Sequence, residues 1–145
     1  MPKVEYSVSA SSENPTKVVV ETPGGFKMTV DEPEKLGGTN DGPNPVEYVL
    51  AALSGCLNVV GHMVAKEMDI EMKGLSFTVS GELDAARFMG KSEEARAGYK
   101  EINVDITDDC DADEEVLEEW LEAVEGRCPV SDNLANVTPV NINIK

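Results

Sequence analysis

The sequence predicts an α+β protein built around one long helix. Two observations support this prediction. Alternating apolar and polar residues, typical of strands, occur on both sides of a long apolar helical stretch, and a second, amphipathic helical stretch lies nearer the C-terminus. The predicted order is β-β-β-α-β-β-α-β. A length of 145 residues fits a single domain spanning residues 1–145.

The first thirty residues are predicted to form strands. Residues 4–10 alternate between apolar and polar side chains, and residues 17–22 are rich in β-branched residues. Residues 26–30 alternate again. Because Pro23, Gly24 and Gly25 separate the second and third stretches, these two are expected to form a hairpin.

A long helix is predicted over residues 45–67. The loop of residues 31–45 is rich in Gly and Pro, which stop regular structure. Asn44 is suited to cap the helix, Pro45 to its first position, and Glu47 to the third position of a capping box. Apolar residues occupy both sides of the helix, so we expect it to be buried nearly all round, by sheet or by a partner subunit.

Two further strands are predicted after this helix. Residues 74–84 alternate between apolar and polar positions, and residues 99–106 place Ile102, Val104 and Ile106 on one face. The polar stretch between them, residues 85–98, is expected to be a mobile loop or a short helix.

The C-terminal third is predicted to hold a helix and a strand. Residues 112–125 carry an apolar stripe that includes Trp120, which we expect in the core, and Gly126 is a natural stop. Alternation at Val140, Ile142 and Ile144 predicts a last strand.

Charge and composition exclude several classes of function. With 12 basic and 28 acidic residues the net charge is −16, which disfavours binding to nucleic acid or to anionic membranes. We find neither an uninterrupted apolar run of membrane-spanning length nor an N-terminal signal, so a cytoplasmic location is expected. With no CxxC motif and a single histidine, no metal site is predicted.

Cysteine is the residue type that could carry chemistry here. Cys56 lies in the apolar helix and Cys128 follows the second helix. From spacing alone, Cys56 is either an inert core residue or a reactive thiol. Arg127 precedes Cys128, and a guanidinium favours the thiolate, which is the nucleophilic form. The third, Cys110, lies among aspartates, which raise a thiol pKa, so it is predicted to be non-catalytic.

Two segments resemble one known family. Residues 42–56, GPNPVEYVLAALSGC, resemble the loop-helix-cysteine motif of the OsmC/Ohr family. Residues 128–134, CPVSDNL, resemble its second-cysteine motif. The predicted order of elements is also similar, so the resemblance extends over nearly the whole chain.

The resemblance implies a fold and an activity. The fold is an intertwined homodimer with a mixed sheet wrapped around a buried central helix. The activity is that of a thiol-dependent peroxidase without metal or organic cofactor. Cys56 would attack a small hydroperoxide and become a sulfenic acid, and Cys128 would resolve it as a disulfide. A dithiol reductant would then restore both thiols.

The chain departs from the family pattern in two respects. Peroxidase branches place an arginine in the early strands, whereas the first arginine here is Arg87. Other cations could serve instead; the candidates are Lys17, Lys27, Arg87, Arg96 and Arg127. The family's glutamate lies ten residues before the first cysteine, where this chain has Val46, and Glu47 lies nine before it. Nine residues turn a helix by about 180°, so on one continuous helix Glu47 would face away from Cys56. Glu47 is therefore a candidate for the capping box as well as for catalysis.

A second function stays open beside the peroxidase. The chain could form a dimer of the same fold without enzymatic activity, whose interface pocket binds a small hydrophobic ligand. The absent early arginine and the shifted glutamate favour this alternative, and the two cysteines in matching motifs favour the enzyme.

Overall fold

The structure is a computed structural model that describes residues 1–145. It confirms the α+β class, with five strands and four α-helices. The chain divides into two units, residues 1–49 and residues 50–145, which are described in turn.

The first unit contains a three-stranded antiparallel sheet. Its strands are β1 (Ser9–Ser12), β2 (Val18–Glu21) and β3 (Lys27–Val30), in the order β1-β2-β3. The predicted hairpin between β2 and β3 is present. Its turn uses Gly25 at a φ of +87°, a left-handed conformation that favours glycine.

The N-terminal strand is shorter than predicted. Pairing between β1 and β2 begins at Ser9, opposite Glu21, the last residue of β2. Residues 4–8 continue past the end of β2, so their backbone groups have no neighbouring strand in the chain. Their apolar side chains, Val4, Tyr6 and Val8, are exposed. The alternation therefore predicts a strand whose partner this chain does not supply.

A buried carboxylate organises the loop before the long helix. Asp31 is fully buried and accepts hydrogen bonds from the hydroxyls of Thr16 and Thr39 and from the backbone N–H groups of Glu32 and Asp41. The Thr39 hydroxyl is the main cause that lowers the pKa of Asp31, and the two backbone donors act in the same direction against the opposing effect of burial. Asp31 therefore stays ionised and ties both ends of the loop together.

The long helix, α1 (Pro45–Glu67), has the predicted bounds. The side-chain oxygen of Asn44 accepts a 2.8 Å hydrogen bond from the backbone N–H of Glu47, which is half of the predicted capping box. One turn on, the Tyr48 hydroxyl donates to the carbonyl of Thr29 at 2.7 Å and anchors the first turn to β3.

The second unit packs a two-stranded sheet against α1. Strands β4 (Gly74–Leu83) and β5 (Tyr99–Asp109) are antiparallel, with Phe77 opposite Ile106. The half-buried residues of this face pack against the buried side of α1; that side comprises Leu53, Leu57, Val60, Gly61, Val64 and Ala65. Both sheets of the single chain are antiparallel, and the mixed sheet expected of the intertwined dimer stays a prediction.

The opposite side of α1 is exposed in the single chain, so its predicted burial by a partner subunit stays a prediction. The exposed apolar residues on this side include Ala51, Ala52, Val59 and Met63. The sheet and helix that pack on α1 cover only one side, and no other element of this unit covers the rest. By length and composition alone α1 could also cross a membrane, although core helices of soluble proteins pass the same test.

The second long helix, α3 (Glu114–Arg127), starts and ends two residues later than predicted. The side chain of Asp113 caps it by accepting from the N–H of Val116. Gly126 does not stop the helix. The break comes at Cys128, because the residue before a proline avoids helical backbone angles, and Cys128 has a φ of −80° and a ψ of 109°. A short helix absent from the prediction, α4 (Pro129–Ala135), follows.

The segment between β4 and β5 contains the predicted short helix. This is α2 (Ala85–Phe88), capped by the side chain of Asp84. The Arg87 guanidinium donates to the backbone carbonyls of Glu93 and Ala95, so the rest of the segment is tied back to α2.

The predicted C-terminal strand does not form in the single chain. Residues 137–145 have no regular structure, and Val137, Val140, Ile142 and Ile144 are exposed. A strand needs a neighbour to pair its backbone groups, and no strand of this chain pairs with the tail.

Candidate thiol redox site

The structure brings Cys56 and Cys128 into direct contact. Their Sγ atoms lie 2.9 Å apart and share a hydrogen bond, and both residues are free thiols. Cys56 projects from α1, and Cys128 occupies the break between α3 and α4. Since a disulfide bond is about 2.05 Å long, the two sulfurs need approach by only about 0.9 Å more to bond.

The two thiols differ in accessibility. Cys56 is half-buried, whereas Cys128 is 1% exposed. The Cys128 sulfur also accepts a 3.4 Å hydrogen bond from the backbone N–H of Ser131 in α4. A small solute can therefore reach Cys56 but not Cys128.

Cys56 is held as a neutral thiol within the single chain. Burial is the main cause that raises the pKa of Cys56, and the hydrogen bond with Cys128 raises it further. The backbone N–H of Val130, in the first turn of α4, acts in the opposite direction by donating to the sulfur. The thiolate of Cys56 is therefore a minor form at neutral pH.

Two of the arginines that could activate Cys56 lie in the second unit, and each is bound to a group other than the Cys56 sulfur. The Arg127 guanidinium pairs with the Glu67 carboxylate, and Arg87 donates to two backbone carbonyls. Glu67 lies eleven residues after Cys56, so the helix rise places it about 16 Å further along α1. Arg127 is thus not the cation beside Cys56 in the same chain. Arg96 is exposed.

The first unit holds the remaining candidates. Lys17 pairs with Glu13 and Asp41 at 3.2 and 3.0 Å, and these bonds raise its pKa, with the Asp41 bond as the main cause. Lys27 is exposed in β3. Glu47 is exposed in the first turn of α1, where it borders an open polar pocket. Its backbone N–H donates to the Asn44 cap, and the two predicted roles of its side chain, in the capping box and in catalysis, both stay predictions.

Cys110 lies apart from this pair, after the end of β5. Although the backbone N–H of Ala112 bonds to its sulfur, burial and the carboxylates of Asp108 and Asp111 raise the pKa of the Cys110 thiol. Its thiol also contacts the Asp108 carboxylate at 3.2 Å. These surroundings agree with the predicted non-catalytic character.

The raised pKa of Cys56 predicts a steep pH dependence of its reactivity. In the Cys110→Ser variant, alkylation of Cys56 by iodoacetamide should speed up about tenfold per pH unit between pH 7 and pH 9, because only the thiolate reacts. Mass mapping of the modified residue measures the rate. A rate that is already maximal at pH 7 would contradict this expectation and would show that a cation reaches Cys56 in the assembled protein.

Sequence reasoning missed the helix that completes the site. The N–H groups of Val130 and Ser131 face the two sulfurs because Pro129 starts α4 immediately after Cys128. Proline at the first position of a helix was the available signal. It was obscured because Cys128 is not a usual capping residue.

Comparison with known proteins identifies the family. The family model of OsmC-like proteins matches residues 38–143, about three quarters of the chain and both cysteines. No curated protein matches the chain in sequence.

Solved structures share the fold at low sequence identity. An OsmC-like protein from Mycoplasma pneumoniae is 22% identical, with a TM-score of 0.80 over 94% of this chain and 91% of that one. An organic hydroperoxide resistance protein OsmC from Legionella pneumophila is 22% identical, with a TM-score of 0.69 over 91% of each chain. The organic hydroperoxide resistance protein OhrB of Bacillus subtilis is 23% identical, with a TM-score of 0.58 over 89% of each chain.

These likenesses are likenesses of fold. With the match of the family model to most of its length, the chain belongs to the OsmC family.

Proposed function

We propose that this protein is a Cys-based hydroperoxide reductase. The observation that carries the proposal is the 2.9 Å contact between an accessible thiol, Cys56, and a buried thiol, Cys128. A pair of this kind suits a reaction in which the first sulfur meets a small oxidant and the second closes a disulfide. The similar structures from Legionella and Bacillus are of organic hydroperoxide resistance proteins, which supports the same substrate class.

The chemistry proceeds in two steps. The Cys56 thiolate attacks the terminal oxygen of the hydroperoxide, the O–O bond breaks, and the alkoxide takes a proton and leaves as an alcohol. Cys56 is then a sulfenic acid. The Cys128 sulfur attacks the Cys56 sulfur, the S–O bond breaks, and the hydroxyl leaves as water with the Cys128 proton. A dithiol reductant reverses the disulfide by exchange and is itself oxidised.

A homodimer and a cytoplasmic location belong to the same proposal. Exposed apolar residues on the outer side of α1, at the N-terminus and along the C-terminal tail are surfaces that a second copy would cover. The tail and residues 4–8 have the alternating pattern of strands but no neighbour in the chain, which supports pairing with the partner's sheet edges. Light scattering on the purified protein measures the oligomeric state.

The proposal predicts a defined thiol stoichiometry. One equivalent of cumene hydroperoxide should remove two of the three free thiols per chain and leave a disulfide between Cys56 and Cys128. The Cys110→Ser variant, as a matched control, should lose both of its thiols at the same rate. Thiol titration and mass mapping of the unreduced protein measure the outcome. Retention of all three thiols would refute the proposal.

The raised pKa of Cys56 favours the second candidate, a dimer that binds a small hydrophobic ligand. This candidate requires slow oxidation of Cys56 together with saturable binding of an apolar fluorescent probe. Fast formation of the disulfide contradicts it.

A further inference from the structure

The ion pair between Arg127 and Glu67 joins two segments that are 60 residues apart. Arg127 Nη1 lies 2.5 Å from Glu67 Oε2, and Arg127 Nη2 lies 3.0 Å from Glu67 Oε1. These parallel bonds fix both the distance and the orientation of the two groups. The Arg127 hydrogen bond is the main cause that lowers the pKa of Glu67, so the pair is charged across the neutral range.

Glu67 and Arg127 are each the last residue of a helix, and these two helices are the ones that bring Cys56 and Cys128 together. Glu67 ends α1, and Arg127 ends α3 immediately before Cys128. Eleven residues complete three helical turns and about 20°, so Glu67 lies on nearly the same side of α1 as Cys56. The neighbours Arg127 and Cys128 therefore contact two residues of α1 whose backbone positions lie about 16 Å apart along its axis.

The last turn of α3 is held at three residues. Val124 is fully buried in the core and Cys128 contacts Cys56, whereas Glu125 and Gly126 between them are exposed. Arg127 adds the ion pair with Glu67 as a further attachment of this turn to α1. With its charge committed to Glu67, Arg127 acts on the position of Cys128 and not on the ionisation of Cys56.

We propose that the Arg127–Glu67 pair is a positioning device that holds Cys128 against Cys56 for closure of the disulfide. The inference rests on the proposed function for its biological setting. In the step concerned, the Cys128 sulfur displaces hydroxide from the Cys56 sulfenic acid, so that one S–S bond forms, one S–O bond breaks and water leaves. The first step, attack of Cys56 on the peroxide, does not involve the pair.

The test separates the two steps by rapid quenching after addition of cumene hydroperoxide. Trapping with dimedone reports the Cys56 sulfenic acid, and mass mapping of the unreduced protein reports the disulfide. In Arg127→Gln and Glu67→Gln the first step should keep its rate. The second should slow about two- to fivefold, which is the range for an exposed ion pair with good geometry. Dimedone adducts should increase accordingly.

Matched variants distinguish position from general stability. The exchanged pair, Glu67→Arg with Arg127→Glu, should restore the rate of closure, and Arg127→Lys should restore it only in part, because lysine lacks the planar fork. Glu125→Gln removes an exposed carboxylate from the same turn and should close the disulfide as fast as the parent.

A second oxidant keeps this inference independent of the peroxidase proposal. Diamide, an azo compound, takes up the two thiol hydrogens and forms the same disulfide without a peroxide. If the parent does not react with peroxide, the proposed function fails, and closure with diamide should still be slower in Arg127→Gln. Equal closure rates in the parent, Arg127→Gln and Glu67→Gln with either oxidant would overturn the inference.

Discussion

Replacing Cys56 with serine is expected to reduce peroxide consumption to the background rate of the buffer. A serine hydroxyl does not ionise at neutral pH and is not oxidised by the peroxide, so the first step is lost. Replacing Cys128 with serine should leave that step intact and, without added thiol, stop the reaction after one equivalent of peroxide per chain, with a sulfenic acid accumulating at Cys56. A peroxide-consumption assay with a dithiol measures Cys56→Ser, a thiol-free assay measures the single turnover of Cys128→Ser, and dimedone labelling locates the sulfenic acid.

The third cysteine supplies the control for this pair. Cys110 lies outside the contact, so Cys110→Ser should consume peroxide at the parent rate. The assignment of roles is wrong if Cys56→Ser consumes peroxide as fast as the parent. It is reversed if Cys128→Ser is inactive in the first step and Cys56→Ser accumulates the sulfenic acid, an outcome that the burial of Cys128 argues against.

Local patterns predict the elements whose causes lie within the chain. The bounds of α1 follow from Asn44, Pro45 and the apolar run, and the structure has the same bounds. The strands β4 and β5 follow from alternation because one face of their sheet packs on α1 within the same unit. The contact between the thiols follows from the family motifs and not from spacing, since 71 residues separate Cys56 and Cys128.

Features that depend on distant or missing partners are predicted poorly. Alternation at residues 4–8 and 140–144 indicates strands, yet the chain offers no neighbour for either. The apolar outer side of α1 predicts burial that one chain does not provide. Asp31 was missed because its donors come from three separate positions, Thr16, Thr39 and the 32–41 backbone, which no local pattern connects.

Replacing Trp120 with alanine is expected to cost about 3–5 kcal/mol in the free energy of unfolding, the usual range for removal of a buried tryptophan. Trp120 is 3% exposed, and its indole N–H donates to the carbonyl of Gly61 in α1 at 2.9 Å. The ring lies so close to α1 that a Cβ at Gly61 would be 3.1 Å from it. Since many domains have only about 5–15 kcal/mol of stability, this loss is large. Urea unfolding followed by circular dichroism measures it.

Two further variants separate burial from the hydrogen bond. Trp120→Phe keeps an aromatic ring but removes the donor to Gly61, so it should cost less, about 1–2 kcal/mol. Leu121→Ala changes the next residue of α3, which is 37% exposed, and should cost less than about 1 kcal/mol. Equal losses for Trp120→Ala and Leu121→Ala would show that α3 is not held to α1 through Trp120. Because Cys128 follows directly on the last residue of α3, a large loss confined to Trp120→Ala should come with slower closure of the disulfide.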